Sequence, residues 1–253
     1  MKQNRRLSQI FLKDRSYIKK IISNTEIDDQ IVLEIGSGSG ALSALIAEKA
    51  KKLLCLEIDE RFCRLLKQRL SSFSNVEIIK SDVLNYKFKE RLTLLGNVPY
   101  HISKRLIYHL TAQRTYIDKA YLTFQKEFAS KLIADCASPY YCQLSCFIQC
   151  YAKISKLIDI PSGSFKPRPK VDSSFIRIDF YNKPAYALKD ELLFEQIISK
   201  AFSQKRKKII NSLSEYKSEI YSMPKKSLDF NLRAQDIPLK SFVLLANRIS
   251  SLK

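Results

Sequence analysis

The chain has no long apolar segment, few histidines and no closely spaced pair of cysteines. No stretch reaches the roughly 18 uninterrupted apolar residues of a membrane-spanning helix, and the N-terminus MKQNRRLSQIFLKDRSYIKK has no apolar signal core with a cleavage site. Two histidines and six cysteines without a C-x-x-C pair are a poor source of zinc ligands. We therefore expect a cytoplasmic protein with no metal site, no membrane segment and no disulfide scaffold.

Positive charge dominates the composition. The chain contains 44 Lys and Arg against 25 Asp and Glu, a formal net charge of +19, and such a field attracts polyanions. The cations are concentrated in the N-terminal segment and around Lys205 to Lys208 in SQKRKKIINSL, and neither segment combines its charge with a broad aromatic face. This distribution favours nucleic acid over a membrane surface as the partner.

Apolar runs alternate with helical patterns through the first part of the chain. Strands are predicted at Ile31 to Ile35 and at LLCLEID, VEIIKSD, LTLLGN and KAYLTFQ, and apolar residues recur at helical spacing in ALSALIAEKAKK and ERFCRLLKQRL. This alternation predicts right-handed crossovers and a mainly parallel sheet, so the fold class is α/β.

The pattern changes near residue 160. A proline-rich segment leads into SSFIRIDF, where Ile176 and Ile178 alternate with Arg177, and we expect a proline-braced loop entering an antiparallel strand at the edge of the sheet. After Pro184 the sequence has helical patterns and few strand signals. We place a domain boundary at residue 183, which gives a larger domain over 1–183 and a small helical domain over 184–253.

The first predicted strand runs into the glycine-rich turn EIGSGSG. Gly36, Gly38 and Gly40 allow the backbone to turn sharply and a ligand to approach closely. Glu57 ends the next strand about 20 residues after Gly36, a spacing that suits a carboxylate accepting hydrogen bonds from ribose hydroxyls. Asp82 ends the third strand, where it could accept from the amine of an adenine. Open α/β sheets bind their ligands at this edge.

The charge of Glu34 indicates which kind of nucleotide the glycine-rich turn would bind. The turn departs from the G-x-G-x-x-G spacing of dinucleotide sites, and Glu34 lies just before its first glycine. A carboxylate there would repel a pyrophosphate but would suit a ligand with an ammonium or sulfonium group. The sequence therefore favours S-adenosylmethionine over NAD or ATP, with a simple brace of the turn as the alternative role of Glu34.

The fourth strand ends in GNVPYHIS and opens onto the same edge. Asparagine and proline are common turn formers, but here the Asn97 side chain and the Val98 or Pro99 carbonyl would present two acceptors to a target amine. Tyr100 would stack on the ring that carries the amine. Because the lone pair of an adenine amine is delocalised, two acceptors on its protons favour the pyramidal, nucleophilic form. Transfer would then depend on positioning and electrostatics more than on a general base.

Ordered segments along nearly the whole chain resemble S-adenosylmethionine-dependent rRNA adenine N6-dimethyltransferases of the KsgA type. The segments are SQIFLKD, EIGSGSG, LEID, GNVPYHIS, FQKEFASKL, SFKPRPKVDSSFIRI and AFSQKRKKIINSL. The resemblance implies S-adenosylmethionine as the cofactor. It also implies a Rossmann-like methyltransferase sheet followed by a small C-terminal helical domain that binds RNA or the ribosome.

Carried over by position, the resemblance implies two sets of site residues. The cofactor contacts would come from the backbones of Ile10 and Leu12 and from Gly36, Glu57, Asp82 and Asn97. The target base would be held by Asn97, Pro99 and Tyr100 as catalytic residues.

Three further positions leave alternatives open. Phe165 is either a second stacking face for the base or a core side chain under the proline loop. Ile10 stands where the family usually has Asn, so only a main-chain contact is expected there. His101 replaces another usual Asn, either as an RNA contact or as a helix-capping or partly buried side chain.

The resemblance also implies a substrate. It is a pair of adjacent adenosines in the hairpin loop near the 3′ end of small-subunit rRNA, each dimethylated, with the immature small subunit as partner. Because a stacked base cannot reach a strand-edge crevice, the adenosine must be splayed out or flipped. Candidate phosphate contacts, which position RNA more than they choose its sequence, are the basic N-terminus, Lys166, Arg168, Lys170 and Lys205 to Lys208. We expect a monomer.

Three other functions are possible. An Erm-type enzyme, which methylates large-subunit rRNA and confers macrolide resistance, shares the cofactor loop and the N-x-P-Y motif. The segment AFSQKRKKIINSL favours the KsgA type. An assembly factor that acts mainly by binding is the second possibility. A DNA adenine methyltransferase is the third, disfavoured because no target-recognition domain is recognisable.

Overall fold

The computed structural model describes residues 10–204, 206–224, 227–229 and 231–252, which fall into two compact units. The first contains the described residues up to Ala129 together with Lys153–Phe180, and the second contains Ser130–Ala152 together with the described residues from Tyr181. The second unit thus contains the described residues of the predicted domain 184–253 and, in addition, the earlier segment Ser130–Ala152. The predictions for residues 1–9 and for Lys205 lie outside the described residues.

The first unit contains nine strands and most of the helices described before residue 153. Its strands are β1 (Phe11–Leu12), β2 (Ile31–Ile35), β3 (Lys52–Glu57), β4 (Val76–Lys80), β5 (Leu92–Asn97), β6 (Ile117–Gln125), β7 (Ala152–Ile160), β8 (Phe165–Lys166) and β9 (Ser173–Phe180). Its helices are α1 (Arg15–Ser23), α2 (Ser43–Ala47), α3 (Glu60–Arg69), α4 (Ser103–Ala112) and α5 (Lys126–Ile133), and the division between the units falls within α5.

Seven of these strands form one sheet in the order β4-β3-β2-β5-β6-β9-β7. Every neighbouring pair from β4 to β6 is parallel, which confirms the predicted mainly parallel sheet. The central strands are apolar and buried on both faces, as in IVLEI and LTLLGN, because parallel strands are covered on both sides. The chain leaves β2 in one direction and returns at β5 beside it. The carboxyl ends of β2 and β5 therefore flank a crevice where strand order reverses, the usual ligand position in such sheets.

The predicted edge strand lies inside the sheet. β9 does run antiparallel, but it pairs with β6 and has β7 on its other side, so β7 is the edge. The first four residues of β9 are buried, as an interior strand requires, whereas Lys153 and Lys156 of β7 are exposed. Exposed lysines are a usual feature of an edge strand, since they discourage further strand pairing.

A two-stranded ribbon joins the N-terminal segment to the proline-rich loop. β1 pairs antiparallel with β8, with Phe11 opposite Lys166 and Leu12 opposite Phe165. The Lys13 N–H donates to the Ser164 carbonyl at 2.9 Å and extends the pairing. Asp14 then caps α1, because its side chain accepts from the Ser16 N–H. The ribbon fixes the segment that the sequence assigns to cofactor contacts.

The second unit is helical in its described part. Its helices are α6 (Gln143–Tyr151), α7 (Glu191–Ser203), α8 (Ile209–Ser212), α9 (Lys217–Tyr221) and α10 (Leu239–Ser250). Phe194 and Phe242 are fully buried, and Phe202 stacks at a tilt against Phe242 with ring centroids 5.8 Å apart. Across the described ranges of both units, no helix is long and apolar enough to cross a membrane.

Candidate functional site

One cavity in the first unit opens at the carboxyl ends of the central parallel strands. Its wall includes every predicted cofactor and catalytic position, namely Ile10, Leu12, Gly36, Glu57, Asp82, Asn97, Pro99 and Tyr100. The fold brings these residues together because β2, β3 and β5 are neighbours that end at the same edge. Phe165 is the predicted site residue that does not line the cavity.

The glycine-rich turn after β2 needs glycine for two reasons. Gly36 and Gly38 have φ of +69° and +51°, in the left-handed region that other residues adopt at a cost. A Cβ atom on Gly38 would lie 2.8 Å from the Phe11 ring, closer than carbon atoms can pack. Phe11 in turn contacts Phe62 with ring centroids 5.3 Å apart. The turn is therefore closed on one side by an aromatic side chain of β1.

Glu57 holds the turn and faces the cavity. Its Oε2 accepts from the Gly38 N–H at 2.8 Å and its Oε1 from the Asp59 N–H at 2.9 Å. Burial raises the pKa of this carboxyl, while the two backbone hydrogen bonds oppose the shift. Since each oxygen has used one lone pair, each keeps another for a ligand hydroxyl.

Asp82 and Glu34 occupy the ends of this wall. Asp82 caps a short 3₁₀ turn, because its Oδ1 accepts from the Leu84 N–H at 2.9 Å. Glu34 is 3% exposed, and its Oε2 accepts from the Ser43 hydroxyl at 2.5 Å, so it does brace the turn. Burial raises the pKa of Glu34 to about 7. A cationic ligand beside this carboxyl would favour its ionised form.

Asn97 is tied to the N-terminal segment. Its Nδ2 donates to the Ile10 carbonyl at 2.9 Å. The neighbouring Val98 is buried and its N–H donates to the Thr123 carbonyl at 3.2 Å, which anchors the turn on β6. The Pro99 carbonyl accepts from the Ile102 N–H at 3.1 Å and is already engaged.

Tyr100 stands at the cavity wall with its hydroxyl fixed. The hydroxyl lies 3.0 Å from the Ser173 hydroxyl at the start of β9. Burial raises the pKa of Tyr100, while the Ser173 hydrogen bond lowers it. The side chain is therefore a neutral phenol at physiological pH, and its ring, like that of Phe11, is an aromatic surface of the cavity wall.

Comparison with known proteins identifies the family. The model of the family described as "Ribosomal RNA adenine dimethylase" matches residues 1–251 of the chain. The chain belongs to this family. Membership in the adenine dimethylase family confirms the predicted enzyme class, an S-adenosylmethionine-dependent rRNA adenine dimethyltransferase, and the predicted cofactor.

Relatives of this dimethylase match it over nearly their full lengths. The "Ribosomal RNA small subunit methyltransferase A" of Syntrophus aciditrophicus is 32% identical over 266 residues, which cover 99% of this chain and 95% of that protein. A crystal structure of a dimethyladenosine transferase from Plasmodium falciparum has a TM-score of 0.78 and 27% identity, covering 95% of this chain and 98% of its own. The structure of the 23S rRNA methyltransferase ErmE has a TM-score of 0.76 and 25% identity, covering 95% and 99%. Fold similarity alone does not choose between the last two.

The structure bears on the two residues, Phe165 and His101, for which the sequence left more than one role open. Phe165 is 4% exposed and belongs to the hydrophobic core. Its burial favours the role of a core side chain over that of a second stacking face for the base. A stacking role would require Phe165 to leave that core. His101 is exposed and lines the cavity, so it is neither buried nor, by its side chain, a cap of α4.

Sequence reasoning missed three contributors to the site. Phe11 closes the glycine turn, the Ile10 carbonyl orients Asn97, and Ser173 holds Tyr100. Ser173 ends the motif F-x-P-x-P-K-V-D-S (Phe165 to Ser173), in which the sequence gave roles to the phenylalanine and the basic residues but not to the serine. Each of these contacts joins residues that are far apart in the chain, so no local sequence pattern predicts it.

Exposed cations lie on the β1–β8 ribbon beside the cavity. Lys13 and Lys166 are both exposed and lie near each other, with Lys166 opposite Phe11 and Lys13 directly after Leu12. Desolvation and the nearby Lys166 ammonium lower the pKa of Lys13. In the described part of the chain neither lysine has a carboxylate partner. Arg168, also exposed, donates from Nε to the Ser162 hydroxyl at 3.1 Å.

Proposed function

We propose that the protein transfers methyl groups from S-adenosylmethionine to the N6 amines of two adjacent adenosines in the 3′-terminal hairpin loop of small-subunit rRNA. Each amine receives two methyl groups. The observation that carries the proposal is the shared cavity, since Asn97 and Tyr100 line the same wall as Gly36 and Glu57. The name and the near-complete coverage of the Syntrophus relative support the small subunit over the large subunit as the substrate.

The residues of the cavity fit S-adenosylmethionine. Glu57 keeps one lone pair on each oxygen for the two ribose hydroxyls, and Asp82 keeps Oδ2 for the adenine amine. The backbone of Gly36 allows close approach, and the buried Glu34 supplies an ionisable carboxyl near the cationic end. The bound cofactor supplies a methyl group on a sulfonium, which is electrophilic without help from an acid.

The end of β5 fits the target amine. Asn97 keeps Oδ1 as an acceptor, because its Nδ2 is bound to the Ile10 carbonyl. The Val98 carbonyl is the better second acceptor, since the Pro99 carbonyl already accepts from the Ile102 N–H. These two acceptors accept hydrogen bonds from the N6 amine and direct the nitrogen lone pair outward, while Tyr100 stacks on the purine. The chain therefore contributes position and electrostatic stabilisation, and no charged base is required.

The substrate must be presented as an unstacked loop. A base inside a stack cannot reach acceptors at a strand edge, so the adenosine is splayed out of its stack, at a cost of a few kcal/mol. Lys13 and Lys166 on the ribbon would contact phosphates near the flipped base. In the second unit, Arg206, Lys207 and Lys208 are exposed, which supports our proposal that this unit binds RNA or the ribosome.

The biological partner we propose is the immature small subunit. Methylation requires the hairpin to be accessible, and a cationic protein of +19 would dwell on an RNA-rich particle even between transfers. We propose that the protein acts there as a cytoplasmic monomer with a role in subunit biogenesis. Binding and methylation are then separable, because the cations and the cavity are different residues.

The test is to incubate the protein with labelled S-adenosylmethionine and unmodified small or large subunits, then measure label in each RNA. Label in small-subunit RNA, lost with Asn97→Ala, is the expected result. Label only in large-subunit RNA would select the Erm-type alternative. Cofactor binding and subunit binding without label would select an assembly factor that acts by binding alone.

A further inference from the structure

The hydroxyl of Tyr100 forms a hydrogen bond with the hydroxyl of Ser173. The two oxygens lie 3.0 Å apart although the residues are 73 positions apart in the chain. Ser173 is fully buried, and Tyr100 is half-buried in the cavity wall. The contact therefore connects the interior of the sheet to the aromatic ring that faces the ligand space.

Ser173 itself is held in place on three sides. It is the first residue of β9 and lies opposite Gln125 of β6. The preceding Asp172 accepts from the Lys126 N–H through its carbonyl at 3.0 Å and from the Ser162 N–H through Oδ1 at 2.8 Å. The following Ser174 donates to Asp159 Oδ1 at 2.6 Å. The serine hydroxyl thus occupies a rigid position, which a flexible loop could not provide.

Tyr100 is restrained at its other end by the turn that carries it. It begins a 3₁₀ turn after Pro99, closed by the hydrogen bond from the Ile102 N–H to the Pro99 carbonyl. The hydroxyl oxygen of a tyrosine lies on the axis about which the ring rotates, so a fixed backbone and a fixed hydroxyl together define the position and direction of that axis. Without the hydroxyl contact, only the backbone and the neighbouring side chains would restrain it.

We propose that Ser173 is a positioning residue for methyl transfer, which holds the long axis of the Tyr100 side chain where its ring can stack on the target adenine. The proposal rests on the proposed function. It also gives a role to the end of the motif F-x-P-x-P-K-V-D-S: Asp172 and Ser174 fasten the strand, and Ser173 orients the tyrosine. A small displacement of a reacting amine lowers transfer rates strongly, so we expect the loss of the Ser173–Tyr100 contact to lower kcat.

The experiment compares Ser173→Ala, Tyr100→Phe and the double variant. Tyr100→Phe keeps the ring and removes only the hydroxyl. We expect each single variant to lower kcat on unmodified small subunits by about tenfold and the double variant to lower it no further, because all three lack the same hydrogen bond. The dissociation constant for S-adenosylmethionine, measured by calorimetry, should change less than twofold.

Ser174→Ala is the matched control. It removes the hydroxyl of a serine that is 1% exposed and adjacent in sequence, but this hydroxyl bonds Asp159 and not Tyr100. We expect Ser174→Ala to lower the melting temperature at least as much as Ser173→Ala while retaining kcat. Ser173→Thr, which keeps a hydroxyl, should recover part of the rate.

The proposal is overturned if Ser173→Ala retains the wild-type kcat, if the two single effects multiply in the double variant, or if Ser174→Ala loses kcat equally. Failure of the proposed function has a different signature, since the wild-type protein itself would then label no small-subunit RNA. In that case the χ1 angle of Tyr100, measured by NMR couplings on labelled protein, still tests the contact. An unchanged χ1 distribution in Ser173→Ala would overturn it.

Discussion

The side-chain amide of Asn97 donates to the backbone carbonyl of Ile10 at 2.9 Å, across 87 positions of sequence. This contact decides which way the amide faces, because its oxygen would be repelled by another carbonyl oxygen. The amide oxygen is left for the target amine. Ile10 therefore contributes to the site through its backbone carbonyl, which is why isoleucine suffices at position 10.

Replacing Asn97 tests the orientation of this amide. In Asn97→Asp both side-chain oxygens are acceptors, so one must face the Ile10 carbonyl or turn away from it, and in Asn97→Ala the acceptor is absent. We expect both variants to lower kcat by about 100-fold or more, as the loss of a preorganised polar group does in other enzymes. Single-turnover assays with saturating cofactor measure this effect.

Asn75→Ala is the control for this prediction. Asn75 also donates its amide to backbone carbonyls, those of Ala47 and Ala50, but it lies outside the cavity wall. Its replacement should lower the free energy of unfolding by about 1–3 kcal/mol, because a carbonyl loses its partner, and should leave kcat unchanged. An equal loss of kcat in both variants would make the role of Asn97 structural.

Gly38→Ala tests the closure of the cofactor turn. The new Cβ would meet the Phe11 ring at 2.8 Å on a backbone with φ of +51°, so the turn or the ring must move. We expect the affinity for S-adenosylmethionine to fall by about tenfold or more and the free energy of unfolding to fall by about 1–2 kcal/mol. Gly163→Ala is the matched control, because nothing lies within 4 Å of its added Cβ. Equal affinities in the two variants would contradict the account.

Glu34 makes stability depend on pH in a defined window. Its pKa is raised by burial from 4.5 to about 7, so the folded state binds more protons than the unfolded state between those values. The stability that the protonated carboxyl provides below pH 4.5 is lost as the pH rises through 7, by about 3 kcal/mol in total. Urea unfolding from pH 5 to 8 should show this decline in the wild type and a flatter profile in Glu34→Gln. Parallel profiles would mean that Glu34 is ionised throughout.

Lys13 and Lys166 should contribute to RNA affinity through phosphate contacts. Replacing both by Gln should weaken binding of the hairpin RNA and reduce the slope of log K against log salt concentration by about 1–2. The control is Lys87→Gln with Lys89→Gln, which removes the same charge from two exposed residues that precede β5 at the opposite edge of the sheet. An equal change of slope in both pairs would indicate a diffuse field without local contacts.

The sequence was sufficient for the elements that carry continuous apolar signals. β2 and β5 begin and end where the sequence predicts, because apolar runs stop at residues that favour turns, Gly36 after β2 and Asn97 before Pro99. The strand ends then predicted the cavity, since parallel strands that alternate with helices must end at one edge.

Features that depend on tertiary contacts were not predictable in this way. β7 follows α6 without a turn residue and contains regularly spaced lysines, so its sequence AKISKLIDI gives a weak strand signal. β1 and β8 have two residues each, too few for any periodicity. A phenylalanine in a proline-rich loop gives the same sequence pattern whether its side chain faces a ligand or the core. The direction of the Phe165 side chain depends on the pairing of β8 with β1, which the sequence does not predict.

The most direct measurement of the central claim is nucleoside mass spectrometry of small-subunit rRNA after reaction of unmodified subunits with the protein and S-adenosylmethionine. The account predicts two N6,N6-dimethyladenosines at adjacent positions in the 3′-terminal hairpin loop, absent when Asn97→Ala replaces the wild type. Methyl groups on another base, on ribose, or outside that loop would contradict it.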